Sequence, residues 1–207
     1  MPTGKRVRND KITMAKPSIK IIEPILKRDF EAALELVRKN LFSGDFFTIR
    51  ELERASSGEL LIAKIDGKVV GMIRSWYPGT VFREHDDEYF FFDKLIYPKE
   101  KLGYISLISV DMNYQGQGIG RKLVAKVIEQ QKQWGAKAII VHASKNSPGD
   151  ASCKLFSSFG FISVGIHKSP WLEYSQELGP NKFQCVFCGN PCVCDELEMV
   201  LDLGINS

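Results

Sequence analysis

One stretch, Tyr104 to Trp134, limits what this chain can fold into more than any other part of it. It opens with Tyr104-Ile105-Ser106-Leu107-Ile108-Ser109-Val110, an apolar, β-branched run that alternates as a strand does. A glycine-dense turn follows, Gln115-Gly116-Gln117-Gly118-Ile119-Gly120. The period then becomes helical, with Leu123, Val124, Val127 and Ile128 on one face and Lys122, Lys126, Glu129 and Gln130 off it. Glycines at alternate positions let the backbone approach a ligand closely. The helix start adds unpaired N–H groups and partial positive charge, so the turn predicts an anion site suited to a pyrophosphate. It is not a mononucleotide P-loop, because Gly120-Arg121-Lys122 lacks the final Lys-Ser/Thr. Nor is it a dinucleotide fingerprint, because Arg121 stands where the third glycine belongs.

At 207 residues the chain predicts one domain, or one with a small appendage, and 44% hydrophobic residues suffice for a proper core. No apolar run reaches membrane-spanning length and no secretory leader is read, so the expected compartment is the cytoplasm and no membrane partner is expected. The net charge of +3 divides unevenly. Residues 1–17 carry Lys5, Arg6, Arg8, Lys11 and Lys16 against Asp10, and the remaining body is nearly neutral. A nucleic-acid binder would carry its basic face on the folded body, so that class is not expected. The predicted organisation is a basic disordered tail over 1–17 and a folded domain over 18–207, monomeric or homodimeric.

In chain order, Ile19–Ile22 reads as a strand, Asp29 as the cap of a helix through Leu41, and Phe46–Arg54 as a second helix. Leu60–Ile65 and Lys68–Trp76 flank an Asp66-Gly67 hairpin turn. Residues 78–103 are an insertion, rich in aromatics (Phe82, Tyr89, Phe90, Phe91, Phe92, Tyr97) and acids (Glu84, Asp86, Asp87, Glu88, Asp93). After the central helix come a strand at Lys137–His142, a helix capped by Asp150 and ending near Phe161, a strand at Phe161–Ile166, and a last strand at Glu196–Leu201.

Gln115, Gly118 and Gly120, placed between a strand and a helix, resemble the Q/R-x-x-G-x-G/A signature of the GNAT superfamily of acyl-CoA-dependent N-acyltransferases. The strand–helices–hairpin opening is similar in pattern, and Asn146 with Leu155-Phe156 through Gly160-Phe161 is similar to a later family segment. The resemblance implies an α/β (α+β) fold, a central mixed, mostly antiparallel sheet flanked by helices. It implies acetyl-CoA as cosubstrate, held by Ile108, Ser109, Val110, Gln115, Gly116, Gln117, Gly118, Ile119, Gly120, Arg121, Asn146 and Phe156. The implied reaction moves an acetyl group to a primary amine of a small molecule or protein by direct attack in a ternary complex. Two departures stand out. Phe156 replaces the tyrosine that commonly protonates the leaving thiolate, and Tyr104, Ser106 and Ile108 supply no strand carboxylate. Candidate proton carriers are therefore Asp111, Glu88, Asp93 and His142 as base and Tyr174 as acid. The competing expectation is a non-catalytic acyl-CoA-binding or zinc-stabilised interaction module.

Cys185, Cys188, Cys192 and Cys194 fall within ten residues of a long loop before the last strand. Thiols so close in an intracellular chain point to metal rather than disulfides. Four thiolates fill the coordination of a tetrahedral ion, so 180–195 predicts a structural zinc knuckle, with an iron–sulfur cluster as the other occupant. The resemblance places this loop near the acceptor, where Trp171, Tyr174 and Phe187 would line a pocket.

Overall fold

The computed structural model describes residues 18–24, 26–55, 58–80 and 89–204. The basic tail and Glu88 lie outside these. The strands are β1 (Lys20–Ile22), β2 (Phe42–Ser43), β3 (Leu60–Ile65), β4 (Lys68–Trp76), β5 (Leu102–Val110), β6 (Ala138–Ser144), β7 (Ile162–His167), β8 (Gln184–Cys185) and β9 (Glu196–Asp202). The helices are α1 (Lys27–Asn40), α2 (Ile49–Glu53), α3 (Ile119–Gln133), α4 (Ala151–Ser157) and α5 (Leu172–Leu178). Seven strands form one mixed sheet in the order β1-β3-β4-β5-β6-β9-β7, and β2 pairs with β8 separately. Within the large sheet every neighbouring pair is antiparallel except β5 with β6. This is the mixed, mostly antiparallel sheet that the family resemblance implies.

Alternation along the strands sends side chains to two helical layers. Leu61, Ala63, Ile73, Ile105, Ile139 and Val141 pack with Leu123, Val124 and Val127 of α3 and Phe156 of α4. Leu60, Ile62 and Met72 pack with Ala33, Leu34 and Val37 of α1 and Leu52 of α2. Beyond α1 the second face is covered by the insertion, where Phe90 packs on Leu102, Tyr104, Ala138 and Ile140. Of the insertion's described residues, Phe90 is buried in this cluster and Tyr89, Phe92, Leu95 and Tyr97 pack against it. At Gly71 the close approach of α3 requires the missing side chain, since a Cβ would stand 3.0 Å from Ile119.

The parallel pair is what positions a site. Its register runs only from Leu102↔Ala138 to Ile105↔Val141. A register shift between β4 and β5 at Ser106 then bends β5, and Ser106–Val110 leave β6 unpaired along that edge. β6 continues to Ser144 paired with β9 on its far side. The two central strands therefore part into an open cleft.

Three local expectations change. Asp29 sits in the first turn of α1 rather than at its N-cap, where it accepts the N-cap Leu26 N–H at 3.4 Å in a capping box and pairs with Lys64 at 2.7 Å. Asp150 precedes α4 in a left-handed conformation, and its side chain makes no capping hydrogen bond. The loop between β7 and β9 contains a helix, α5, that its sparse apolar residues conceal.

Candidate active site

At the cleft's lower lip the strand, turn and helix stand as expected. Gly116 and Gly118 have φ of 74° and 80°, and a Cβ on either would meet only open space. That is backbone an L side chain resists, facing room for a ligand. Gly120 has ordinary φ, and a Cβ there would touch Leu155 at 3.4 Å. Ile119 is buried, so α3 starts as a firmly packed 15-residue helix whose first N–H groups have no partner within the helix. Exposed Gln115 ties the turn to the strand through Val110 O at 3.1 Å, while Gln117 stays in solvent. Arg121 reaches Ser158 Oγ at 2.7 Å, joining α3 to α4. Ile108 and Val110 are half-buried on the parted edge. Buried Ser109 spends its hydroxyl on Leu36 O and receives Asn40 at 2.9 Å, so only its backbone faces a ligand.

Two residues expected beside the cosubstrate are committed elsewhere. Phe156 is 1% exposed and packs against Phe161 in the core. Its ring completes the α4 layer, so it presents nothing to the cleft. Asn146 accepts Asp195 N–H at 3.2 Å, fastening the β6 exit to the knuckle.

The expected proton carriers are also redistributed. Asp111 is buried, accepts Asn113 N–H at 2.9 Å and lies near Lys68, which makes it a turn residue. Asp93 is exposed in a short 3₁₀ turn. Tyr174 is 44% exposed and packs on Phe46 and Trp171, away from the histidines described next.

A buried line of hydrogen-bonded side chains runs where β5 and β6 part. Tyr104 OH lies 3.0 Å from His142 Nδ1. His142 Nε2 lies 3.2 Å from Glu198 Oε2, and His167 Nε2 meets the same oxygen at 2.8 Å. Phe91 N–H also donates to this carboxylate, at 3.1 and 3.2 Å to its two oxygens. Glu198 is 0% exposed and the His142 side chain 2%. An ionised carboxylate only accepts, so both imidazoles present Nε2–H to it, and Nδ1 of His142 is left to the Tyr104 hydroxyl. Burial pushes the Glu198 pKa up, but hydrogen bonds from His142 and His167 outweigh it and hold the net value below the usual range. Burial, then Tyr104 and Glu196, push the Tyr89 hydroxyl well above 10, so it remains a donor, to Glu196 Oε2 at 2.6 Å. Of this line the sequence offered only His142. Glu198 and His167 join it through β9, inserted between β6 and β7, and a glutamate alternating with apolar residues in a strand was the available signal.

The Glu198 shift has a consequence for stability. A depressed carboxylate contributes stability that is fully present above its unfolded pKa, about 4.3, and is lost as pH falls through its lower folded value. Urea midpoints taken near neutrality and in acid should therefore drop more in the wild type than in Glu198→Gln. Equal drops would mean the carboxylate is not held ionised.

The four cysteines form one cluster, all free of disulfides, with ligand atoms within 4.8 Å of one another. Cys185–Cys194 and Cys188–Cys192 sulfurs are 3.7 Å apart, and Cys188–Cys194 3.2 Å. A tetrahedral ion with metal–sulfur bonds of about 2.3 Å spaces its sulfurs by about 3.8 Å, so the set fits one. Val193 N–H points at Cys188 Sγ at 3.3 Å, as expected of a knuckle. Phe183 and Phe187 pack around the sulfurs, and β8 pairs with β2, tying the cluster to the chain after α1.

The sheet is parted between its two parallel strands, with a glycine turn and a helix start beside the opening. The chain belongs to the Acetyltransferase (GNAT) family, whose pattern its residues 21–161 match, and it is accordingly an acetyltransferase. Among solved structures it is similar in fold to the ribosomal-protein-S18-alanine N-acetyltransferase from Escherichia coli (TM-score 0.60, 14% identity, 92% of this chain and 97% of that one). It is also similar to a chain of the NatC complex bound to Gag peptide and CoA (TM-score 0.59, 18% identity, 89% and 98% covered). A curated relative, "GCN5-related N-acetyltransferase 4, chloroplastic" of Arabidopsis thaliana, is 34% identical over 65 residues, 31% of this chain. That match spans only 22% of the relative's own length. Among the described residues no helix is long and apolar enough to cross a membrane.

Proposed function

We propose that this chain transfers an acetyl group from acetyl-CoA to a primary amine by direct attack, with Tyr104, His142 and Glu198 as the proton relay. The observation that carries the reading is the buried Tyr104–His142–Glu198 line standing where β5 and β6 part. The parted edge of β5, Ser106–Val110, offers backbone groups to the cosubstrate, and N–H groups near Val110 would polarise the thioester carbonyl. The Gln115–Arg121 turn receives the pyrophosphate. Lys145 and Lys154, flanking a recess with Ser157 beside α4, add positive charge for the outer phosphate.

The acceptor arrives as an ammonium ion, since an alkylamine has a pKa near 10.4 and is almost wholly protonated at neutral pH. One proton leaves it toward Tyr104 and His142 Nδ1, and from there to solvent, while Glu198 steadies the imidazolium. The neutral amine then attacks the carbonyl, the C–N bond forms and the C–S bond breaks. The second nitrogen proton ends on the departing thiolate, so the products are amide, CoA thiol and one released proton. With Phe156 in the core no tyrosine protonates the thiolate from α4, and a thiolate is a good enough leaving group to go without one.

The cysteine knuckle is read as a structural site in which Cys185, Cys188, Cys192 and Cys194 hold zinc. When bound, the ion supplies a cross-link and no open position for chemistry. The test of the function is thiol release from acetyl-CoA against a panel of primary amines. Amine-dependent release is expected, with equimolar amide in the products. Release that ignores the amine, or none with any amine despite bound cosubstrate, would refute it.

A further inference from the structure

The acids on β9 and beside it are not equally matched. Glu198 has two histidines, and neighbouring Asp195 has Lys168 at 2.6 Å. Glu196 is held by neutral donors, Tyr89 OH on Oε2 at 2.6 Å and Trp171 Nε1 on Oε1 at 3.0 Å. Among the described residues no lysine, arginine or histidine pairs with it. These neutral donors orient the carboxylate and leave lone pairs on both oxygens for a visiting cation.

Its position says which cation. Glu196 pairs with Ser144, two residues beyond the His142↔Glu198 pair, on the same sheet face and along the part of β6 that β5 has left. The Tyr89 ring lies against His142 at 4.2 Å. Glu196 is therefore joined to the relay through Tyr89, which donates to it and packs on His142. The Tyr89 and Trp171 rings, 6.2 Å apart and steeply inclined at 74°, flank the carboxylate with surfaces that favour a cation.

We propose that Glu196, flanked by Tyr89 and Trp171, is the subsite that receives the acceptor as an alkylammonium ion. It rests on the acetyl-transfer reading above and adds the substrate class, an aliphatic amine protonated at neutral pH with no carboxylate next to it. Glu196 draws in the charged form and Tyr104 and His142 then remove its proton, whereas an acceptor bearing its own carboxylate is repelled by the same group.

The test does not need turnover. The chain has three tryptophans, so its labelled indole N–H region holds three resonances, and Trp171→Phe identifies the relevant one. Titration of the full chain carrying its knuckle ion with n-butylamine should shift the Trp171 resonance, whereas n-butanol and γ-aminobutyrate should not. In Glu196→Gln the n-butylamine affinity should fall by about ten-fold, the loss of one charge-assisted contact. In the thiol-release assay the same variant should raise the acceptor KM similarly and leave that of acetyl-CoA alone. An equal response to n-butanol, or a Glu196→Gln titration like the wild type, would overturn the subsite while leaving acetyl transfer standing. A shift confined to n-butylamine in a protein that releases no thiol would uphold the subsite and refute acetyl transfer.

Discussion

Replacing His142 by alanine is expected to lower kcat by about a hundred- to a thousand-fold while acetyl-CoA binds as before. His142 alone in the relay touches both the hydroxyl at the cleft and the carboxylate beneath it, at 3.0 and 3.2 Å. Its loss removes the group that takes the acceptor proton, and an ammonium cannot attack a thioester. The fold should survive, because Glu198 retains His167 at 2.8 Å and the Phe91 N–H and is not left a bare buried charge. Tyr104→Phe should cost less, since water can bridge the remaining gap to Nδ1. Steady-state thiol release with calorimetric acetyl-CoA affinities separates these effects. A His142→Ala enzyme within two-fold of the wild type would remove the relay from the mechanism.

Cys188→Ser is expected to release the knuckle ion, lower Tm and raise the acceptor KM. An ion present at a hundred or more times its dissociation constant stabilises the fold by about 3 kcal/mol. For a chain of this size that is roughly 6–12 °C in Tm. The kinetic effect follows from how the knuckle is wired. Its backbone pairs with β2, and Val186 N–H donates to Leu41 O at the end of α1. Cys192 N–H donates to Ser175 Oγ of α5, the helix that begins just after Trp171. Cys194 stands two residues before Glu196. Loosening the knuckle should therefore loosen the acceptor wall, while the glycine turn, which none of these bonds reaches, should be untouched. Metal analysis, calorimetric melting and acceptor kinetics on one preparation check this. Loss of the ion with unchanged melting and KM would leave the cluster without either role.

The parts that were legible in the sequence are those whose physics is local. Tyr104 to Gln133 is a continuous strand, turn and helix, so its period and its glycines declare it. The cysteines declare themselves by spacing. The relay does not, because it is assembled across the sheet, with Glu198 lying 56 residues from His142 and 31 from His167. Nothing in a strand such as Glu196–Asp202 shows that it will run between β6 and β7, and so which of its glutamates will be buried. The same long-range packing moved the other way at Phe156, an aromatic at a family motif position that the core claimed. Asn146 was likewise taken by the backbone of Asp195. Tyr104 was legible only as the start of an apolar strand, and nothing local shows that its hydroxyl will meet His142.

The most direct test of the central claim, that the parted strands and glycine turn hold acetyl-CoA, is a calorimetric titration of the ion-loaded protein beside Gly118→Val. Gly118 has φ of 80° and open space where its Cβ would be, so valine costs about 1–2 kcal/mol of backbone strain and intrudes on the phosphate site. Stoichiometric micromolar binding by the wild type, weakened at least ten-fold in a Gly118→Val protein that still melts cooperatively, is the predicted result. No binding to the folded wild type, or equal binding to both, would contradict it.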